Sequence, residues 1–417
     1  MERKIDSYLK SWQKEVARKV LFIYGKKRVG KTYTAINFGY NNYKNVIYFN
    51  LDNNKELEDI IKDTKEVEQL VKSLSLYIKE TIMEDLSLLI FDNLKSVLLF
   101  NELKKFTGTN YHVVLIGDSK ESFKGSDVYY KEMFPLDFEE FLRAINKKEL
   151  VAFIRDSYIN NKGMPFHSLA SLYFDIFLET GGFPEVVEFY IQNEKKKILL
   201  NSPKKSILDS YKSSILKERE KGEDVIKVIP LELLKDNRKF QYSLIKKGAR
   251  MSEYKDILDA LQDIGLIYKC YKLKGEGKVL ASLKDEDNFK VYLNDTGLLF
   301  YLMNSSEKEL KENASLFSVM VEERSLIDLL SNSLRPYYFK SDGKASISFV
   351  IQLRDGKIVP IEIVDTLNSK SKSLAHFKNK FKVEECIKVG DFNFKKQNNI
   401  KYIPIYATFC FDEFKNK

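Results

Sequence analysis

The chain has 417 residues, more than one hydrophobic core usually organises, so two or three domains are expected. Hydrophobic residues at 44% and charged residues at 31% argue against a largely disordered, collagenous or coiled-coil chain, and 8 Pro with 18 Gly argue against long linkers and a many-turned β-sandwich. The 69 Lys and Arg against 60 Asp and Glu leave a charge of +9, which permits an anionic partner such as nucleic acid without requiring one.

Cys270, Cys386 and Cys410 are odd in number and too far apart for a CxxC element, so no disulfide or zinc framework is expected. His112, His167 and His376 are equally scattered and suggest no metal site. The stretch from Met1 to Asp6 lacks the apolar character of a signal peptide, and no uncharged apolar run approaches about 18 residues. A cytoplasmic protein without a membrane segment is expected.

In chain order, four apolar runs come first: Val20 to Tyr24, Asn45 to Leu51, Ser87 to Phe91 and His112 to Gly117. They alternate with helical patterns and show little polar alternation, which predicts parallel strands covered on both faces. From about Leu136 to Gln192 the pattern is helical, and the lysine-rich stretch Glu194 to Lys205 reads as a solvated connection, placing a boundary near 195. Ile257, Leu258, Leu261 and Ile264 form one apolar stripe, capped by Gly265 before a strand Leu266 to Leu273. Gly275 and Gly277 turn the chain toward a second strand, Lys278 to Leu283, completing a winged-helix outline. Beyond about 312, a helix around Glu322 to Leu330 precedes strands at Ile347 to Leu353 and Ile358 to Val364. The expected division is 1–195, 196–305 and 306–417.

Gly25-Lys26-Lys27-Arg28-Val29-Gly30-Lys31-Thr32 follows the first strand and opens a helix, the context a phosphate-binding P-loop needs. Its glycines let backbone N–H groups converge on phosphate oxygens, Lys31 reaches the β and γ phosphates, and Thr32 can ligate Mg²⁺. A P-loop also needs an acid at a second strand end, and Leu88-Leu89-Ile90-Phe91-Asp92 supplies Asp92. The strand ending at Gly117 brings Asp118 and Ser119 to the same edge, where a γ-phosphate sensor lies. The candidate nucleotide-binding set is Gly25, Lys26, Lys27, Arg28, Val29, Gly30, Lys31, Thr32, Tyr33, Asp92 and Asp118, with Thr32 and Asp92 as Mg²⁺ ligands. Asn93 stands where many ATPases carry a Glu that polarises water. Two readings follow: Asn cannot accept a proton, so hydrolysis is slow by about 10² to 10⁴, or Asn93 still orients water by hydrogen bonding.

These residues resemble a family of bacterial AAA-like ATPases in which a P-loop domain precedes a C-terminal domain of unknown function containing a restriction-endonuclease-like module. Its landmarks are the Arg28 to Thr32 loop end, Phe134 to Phe141, Gly181-Gly-Phe-Pro-Glu185, Lys239 to Ser243 leading into Lys246 to Arg250, Phe289 to Leu298, Val359 to Ile363 and Asn368 to Leu374. The resemblance implies an α/β fold: a parallel-sheet P-loop ATPase domain, a winged-helix segment and a nuclease-like α/β module. It also marks three departures. The family usually carries Asp-Glu where this chain has Asp92-Asn93, and a Gly-Arg pair where this chain has Gly125-Ser126-Asp127. In the nuclease-like module, relatives often place Asp on one strand and Glu-x-Lys on the next.

That hairpin can be registered from alternation alone. Ile347, Phe349, Ile351 and Leu353 alternate on one strand and Val359, Ile361 and Ile363 on the next, so facing residues sum to 710 around a three-residue loop Arg354-Asp355-Gly356 with Gly left-handed. Ser348, Glu362 and Val364 then occupy the family's Asp, Glu and Lys places, with Ser346 replacing another acid, a set too poor in carboxylates to use Mg²⁺. Glu322 is a candidate second carboxylate, and Lys370 or Lys372 a candidate replacement lysine. In the winged-helix segment, Lys246, Lys247 and Arg250 offer a basic entrance, yet Glu253, Asp256, Asp259 and Asp263 give the helix the wrong sign for phosphates. The leading expectation is an ATP- and Mg²⁺-binding switch, slow in hydrolysis, with an inactive nuclease-like module and a protein partner or homo-oligomer. The alternatives are an ATP-dependent DNA-binding or DNA-processing enzyme and an interaction protein with a vestigial P-loop.

Overall fold

The computed structural model describes residues 1–194, 196–275, 277–341, 345–364 and 372–416. The chain forms two compact units, Glu2–Phe134 and Pro135–Lys417, the latter joined by Met1. The helices from Leu136 to Gln192 therefore lie in the second unit, together with the strands expected for the winged helix and the nuclease-like module.

The first unit is built on five parallel strands: β1 (Val20–Gly25), β2 (Asn45–Asn50), β3 (Ser87–Asp92), β4 (His112–Gly117) and β5 (Val128–Met133), in the order β2-β3-β4-β1-β5. Alternate residues serve opposite faces. Phe22, Ile47, Leu89, Phe91 and Leu115 pack on one side of the sheet, and Leu21, Ile23, Leu88, Ile90 and Ile116 on the other. Because helices cover both faces, each central strand needs apolar residues at every position, which is the run seen in the sequence. The edge strand β5 carries Lys131 and Glu132, so its apolar signal is broken and the sequence reading misses it.

Among its described residues the second unit holds eight strands: β6 (Ile267–Leu273), β7 (Lys284–Leu293), β8 (Tyr337–Lys340), β9 (Ser346–Gln352), β10 (Ile358–Val364), β11 (Cys386–Gly390), β12 (Lys395–Gln397) and β13 (Ile400–Pro404). They form one mixed sheet, ordered β12-β13-β11-β10-β9-β8-β6-β7. The hairpin of the winged-helix outline and the nuclease-like strands thus share a sheet, through parallel pairing of β6 with β8.

The register expected for β9 and β10 is the one observed: Gln352 faces Ile358, Ile351 faces Val359, Val350 faces Pro360 and Phe349 faces Ile361. Gly356 takes φ +87°, and its N–H donates to Leu353 O at 3.0 Å to close the loop. The expected strand Lys278–Leu283 is corrected. Its residues form a loop ending in a short helical turn, Leu280–Leu283, and the strand pairing with β6 begins at Lys284. The reason is a side chain: Gln352 donates to Lys278 O at 2.6 Å and accepts from Leu280 N–H at 3.0 Å, satisfying backbone groups that a ladder would otherwise use. Among the described residues no helix is long and apolar enough to cross a membrane.

Candidate nucleotide site

The site forms where β1, β3 and β4 end on one edge of the first sheet. Because β4 lies between β1 and β3, the three strand ends deliver Gly25, Asp92 and Asp118 to a common cleft. The chain leaves β1 at Gly25 with φ +152°, and a Cβ there would sit 2.2 Å from Met133 O, so the position admits only glycine. Arg28 (φ +65°) and Gly30 (φ +93°) then turn the loop into the helix Lys31–Asn42. Between them Val29 is fully buried and packs against the face of the sheet that carries Leu21 and Ile23.

Lys31 Nζ donates to Gly25 O at 2.6 Å, to Lys26 O at 3.0 Å and to Asp118 Oδ1 at 3.1 Å. Burial pulls its ammonium below the usual lysine range, and Asp118 opposes that pull. Thr32 Oγ1 donates to Asp92 Oδ2 at 2.6 Å, and Tyr48 donates to the same oxygen at 2.9 Å. The other oxygen, Asp92 Oδ1, accepts from the Asn93 backbone N–H at 2.7 Å. Asn93 has φ +60°, and its Nδ2 donates to Asn50 Oδ1 at 2.9 Å.

The cleft has a volume of about 460 Å³, within the roughly 300–1,000 Å³ of small-molecule sites. Lys27, Arg28, Lys31 and Lys95 line it against Asp92 and Asp118, so cations outnumber carboxylates four to two, a balance suited to a polyphosphate. Asn93 and Ser119 line it as well, whereas Tyr33 is 60% exposed on the helix and lies outside the lining. The Thr32 hydroxyl and the Asp92 carboxylate are hard oxygen donors within hydrogen-bond reach of one another, the few protein ligands that Mg²⁺ takes beside phosphate oxygens. The sequence reading misses Tyr48 and Lys95. Tyr48 lies on β2, whose end carries no motif, and Lys95 follows Asp92 by three residues in a loop without periodicity.

In the second unit the nuclease-like residues take other places. Glu362 lies opposite Lys388 in the β10–β11 register, with the ammonium 3.9 Å from the carboxylate. Lys388, on the next strand, is thus a lysine that lies beside Glu362. Lys370 lies outside the described residues, and Lys372 opens the helix Lys372–Phe381. Ser348 Oγ accepts from Ile363 N–H at 3.2 Å, and Val364 lies opposite Gly390. Glu322 does not join Glu362, which corrects its expected role. It is bound by Lys290 Nζ at 2.6 Å, by the Tyr292 hydroxyl at 2.7 Å and by Arg238, and both β7 residues lie at the far edge of the sheet from β11. Among the described residues no three of His, Cys, Asp or Glu gather as a metal site.

Another group of sequence landmarks meets in the interior of the second unit. Leu136 N–H donates to Gly182 O at 2.6 Å, Gly182 N–H donates to Asp295 Oδ2 at 2.6 Å, and Leu293 N–H donates to Glu323 Oε2 at 2.9 Å. Arg324 pairs with Asp328 at 2.5 Å, both buried. These buried hydrogen bonds and the Arg324–Asp328 pair tie the landmarks to one another and so hold the unit together.

Residues 17–142 match the family model of an AAA domain, and residues 172–309 match that of a domain of unknown function (DUF8612). An uncharacterized protein of Methanocaldococcus jannaschii is 28% identical over 198 residues, which is 45% of this chain and 40% of that protein. The chain thus aligns with well under half the length of this curated relative. Among solved structures, the chain is similar to the Aeropyrum pernix Orc1 protein in complex with DNA, at 13% identity and a TM-score of 0.31, covering 73% of this chain and 93% of that one. It is also similar to a signal transduction ATPase with numerous domains (STAND) and a tetratricopeptide repeat sensor from Pyrococcus horikoshii, at 16% identity and a TM-score of 0.27, covering 79% and 48%. The family match and the geometry of the cleft together identify residues 17–142 as an AAA-like P-loop nucleotide-binding domain.

Proposed function

We propose that this protein binds Mg-ATP in the cleft formed by Gly25 to Thr32, Asp92 and Asp118, hydrolyses it slowly, and uses the bound state as a switch for a protein partner or a second copy of itself. The observation that carries the reading is the convergence of Lys31 on Asp118 and of Thr32 on Asp92, from helix and strand ends far apart in sequence. Thr32 and Asp92 would hold Mg²⁺, which neutralises phosphate charge, while Lys31 and the loop N–H groups orient the phosphates. Slow turnover is supported by Asn93, whose amide lacks the basicity to take a proton and is already engaged by Asn50.

The functional modules are proposed to follow the sequence division, with 1–195 for nucleotide, 196–305 as a winged-helix segment and 306–417 as a nuclease-like platform without catalysis. The capture of Glu322 by Lys290, Tyr292 and Arg238 supports the last point, because it leaves Glu362 without that carboxylate. The test is Mg-ATP affinity and steady-state hydrolysis on one preparation, with Lys31→Ala as the blank. Measurable affinity lost in Lys31→Ala, with turnover slow and unchanged by DNA, is the expected result. DNA-stimulated turnover with steep salt dependence would instead favour the DNA-processing reading.

A further inference from the structure

We infer that Arg3, which precedes the P-loop by more than twenty residues and belongs to no motif, is a positioning residue of the nucleotide site. This rests on the nucleotide reading above. Arg3 is only 8% exposed, and a buried guanidinium requires acceptors for its N–H groups. Two of those acceptors are backbone carbonyls at functionally chosen places. Nη1 donates to Val29 O at 2.9 Å, inside the phosphate loop, and Nη2 donates to Phe134 O at 2.8 Å, just after β5. The planar fork of the guanidinium fixes the distance between the two, so the loop is braced against the end of a strand.

The effect on the loop follows from peptide geometry. Val29 stands between two residues with left-handed φ, Arg28 and Gly30, and its side chain is locked in the core. What the side chain leaves undetermined is the rotation of the Val29–Gly30 peptide plane. In a trans peptide the C=O and the following N–H point in opposite directions, and among the described residues no peptide bond is cis. Holding Val29 O toward Arg3 therefore aims Gly30 N–H the other way. Successive N–H groups in such a turn form a concave anion site only if their planes are aligned in advance. Arg3 supplies that alignment without touching phosphate, and Met133, which pairs with Gly25 one residue before Phe134, braces the loop's other end on the same strand.

The test uses the full chain in four forms, wild type, Lys31→Ala, Arg3→Ala and Arg3→Lys, with Mg-ATP affinity by calorimetry and melting temperature with and without Mg-ATP. A charged hydrogen bond to the loop is worth a factor of ten or so, so Arg3→Ala is expected to bind about tenfold more weakly and to show a smaller nucleotide-induced rise in melting temperature. Arg3→Lys, which keeps a charge but lacks the fork, should fall between. Equal affinity of Arg3→Ala and wild type, even with a lower melting temperature without nucleotide, would reduce Arg3 to a structural residue and overturn the inference. If Arg3→Ala does not fold, Arg3→Lys decides by the same comparison, with affinity equal to wild type as the negative result. Absence of Mg-ATP binding in wild type, or binding retained in Lys31→Ala, would instead overturn the nucleotide reading itself, and the role of Arg3 with it.

Discussion

Thr32 and Asp92, 60 residues apart in sequence, are joined by a 2.6 Å hydrogen bond from hydroxyl to carboxylate at the carboxyl edge of the parallel sheet. The bond sets both oxygens where one metal ion can reach them. Thr32→Val keeps the volume and removes the hydroxyl. We expect it to destabilise the first unit by about 1 kcal/mol, since Asp92 retains Tyr48 and the Asn93 N–H as donors. The larger effect should fall on metal dependence. Titration of ATP affinity against Mg²⁺ should show a stimulation in wild type that is lost in Thr32→Val, and an unchanged Mg²⁺ response would remove Thr32 from the metal site.

Asn93 tests the slow-turnover proposal from the opposite direction. Its φ of +60° suits Asn better than Glu, so Asn93→Glu should cost roughly 1 kcal/mol of stability in the first unit. It also restores a carboxylate beside Asp92 and should raise steady-state ATP turnover by tenfold or more. A wild-type rate already equal to that of Asn93→Glu would show that another group activates water.

Gly25 gives the sharpest steric prediction. An added methyl would meet Met133 O at 2.2 Å, and backbone cannot yield as a flexible side chain does. Gly25→Ala should destabilise the first unit by at least about 2 kcal/mol. Chemical denaturation read from the first unit would check it. A Gly108→Ala control, where φ is +81° but nothing lies within 4 Å, should cost less, because only strain and no clash applies.

The sequence was most informative where one local requirement dominated. The runs of β1, β3 and β4 were legible because strands covered on both faces tolerate no polar position, and the P-loop because Gly25 and Gly30 meet backbone demands that other residues cannot. The β9–β10 register followed from alternation about Gly356. What escaped depended on tertiary partners. Gln352 unmade the strand expected at Lys278 to Leu283, Lys388 came beside Glu362 from a strand that carries no motif, and Arg3 reached Val29 across 26 residues that no periodicity links. The edge of the first unit at Phe134 was also hidden, since the helical pattern that follows belongs to either neighbour by composition alone.

Asp295 makes the second unit's stability depend on pH in an unusual direction. Burial raises its carboxyl from the usual range to about 6, while the Gly182 N–H, Arg324, Lys204 and the Leu298 N–H oppose that rise. Glu323 is also raised by burial, and Asp295 adds to that rise. A carboxyl whose folded value exceeds its unfolded one binds its proton more tightly when folded. Its contribution is therefore full below pH about 4, is lost as pH rises toward about 6 and is flat above, amounting to about 3 kcal/mol for Asp295. Asp295→Asn removes the titration but keeps the shape. It should lower stability at acid pH, because one amide group replaces an oxygen that accepts from Gly182 or Leu298. Between pH 4 and 6 the fall in melting temperature of the second unit should be shallower than in wild type. Parallel curves for the two proteins would show that Asp295 is ionised throughout, held by Lys204 and Arg324 against its burial.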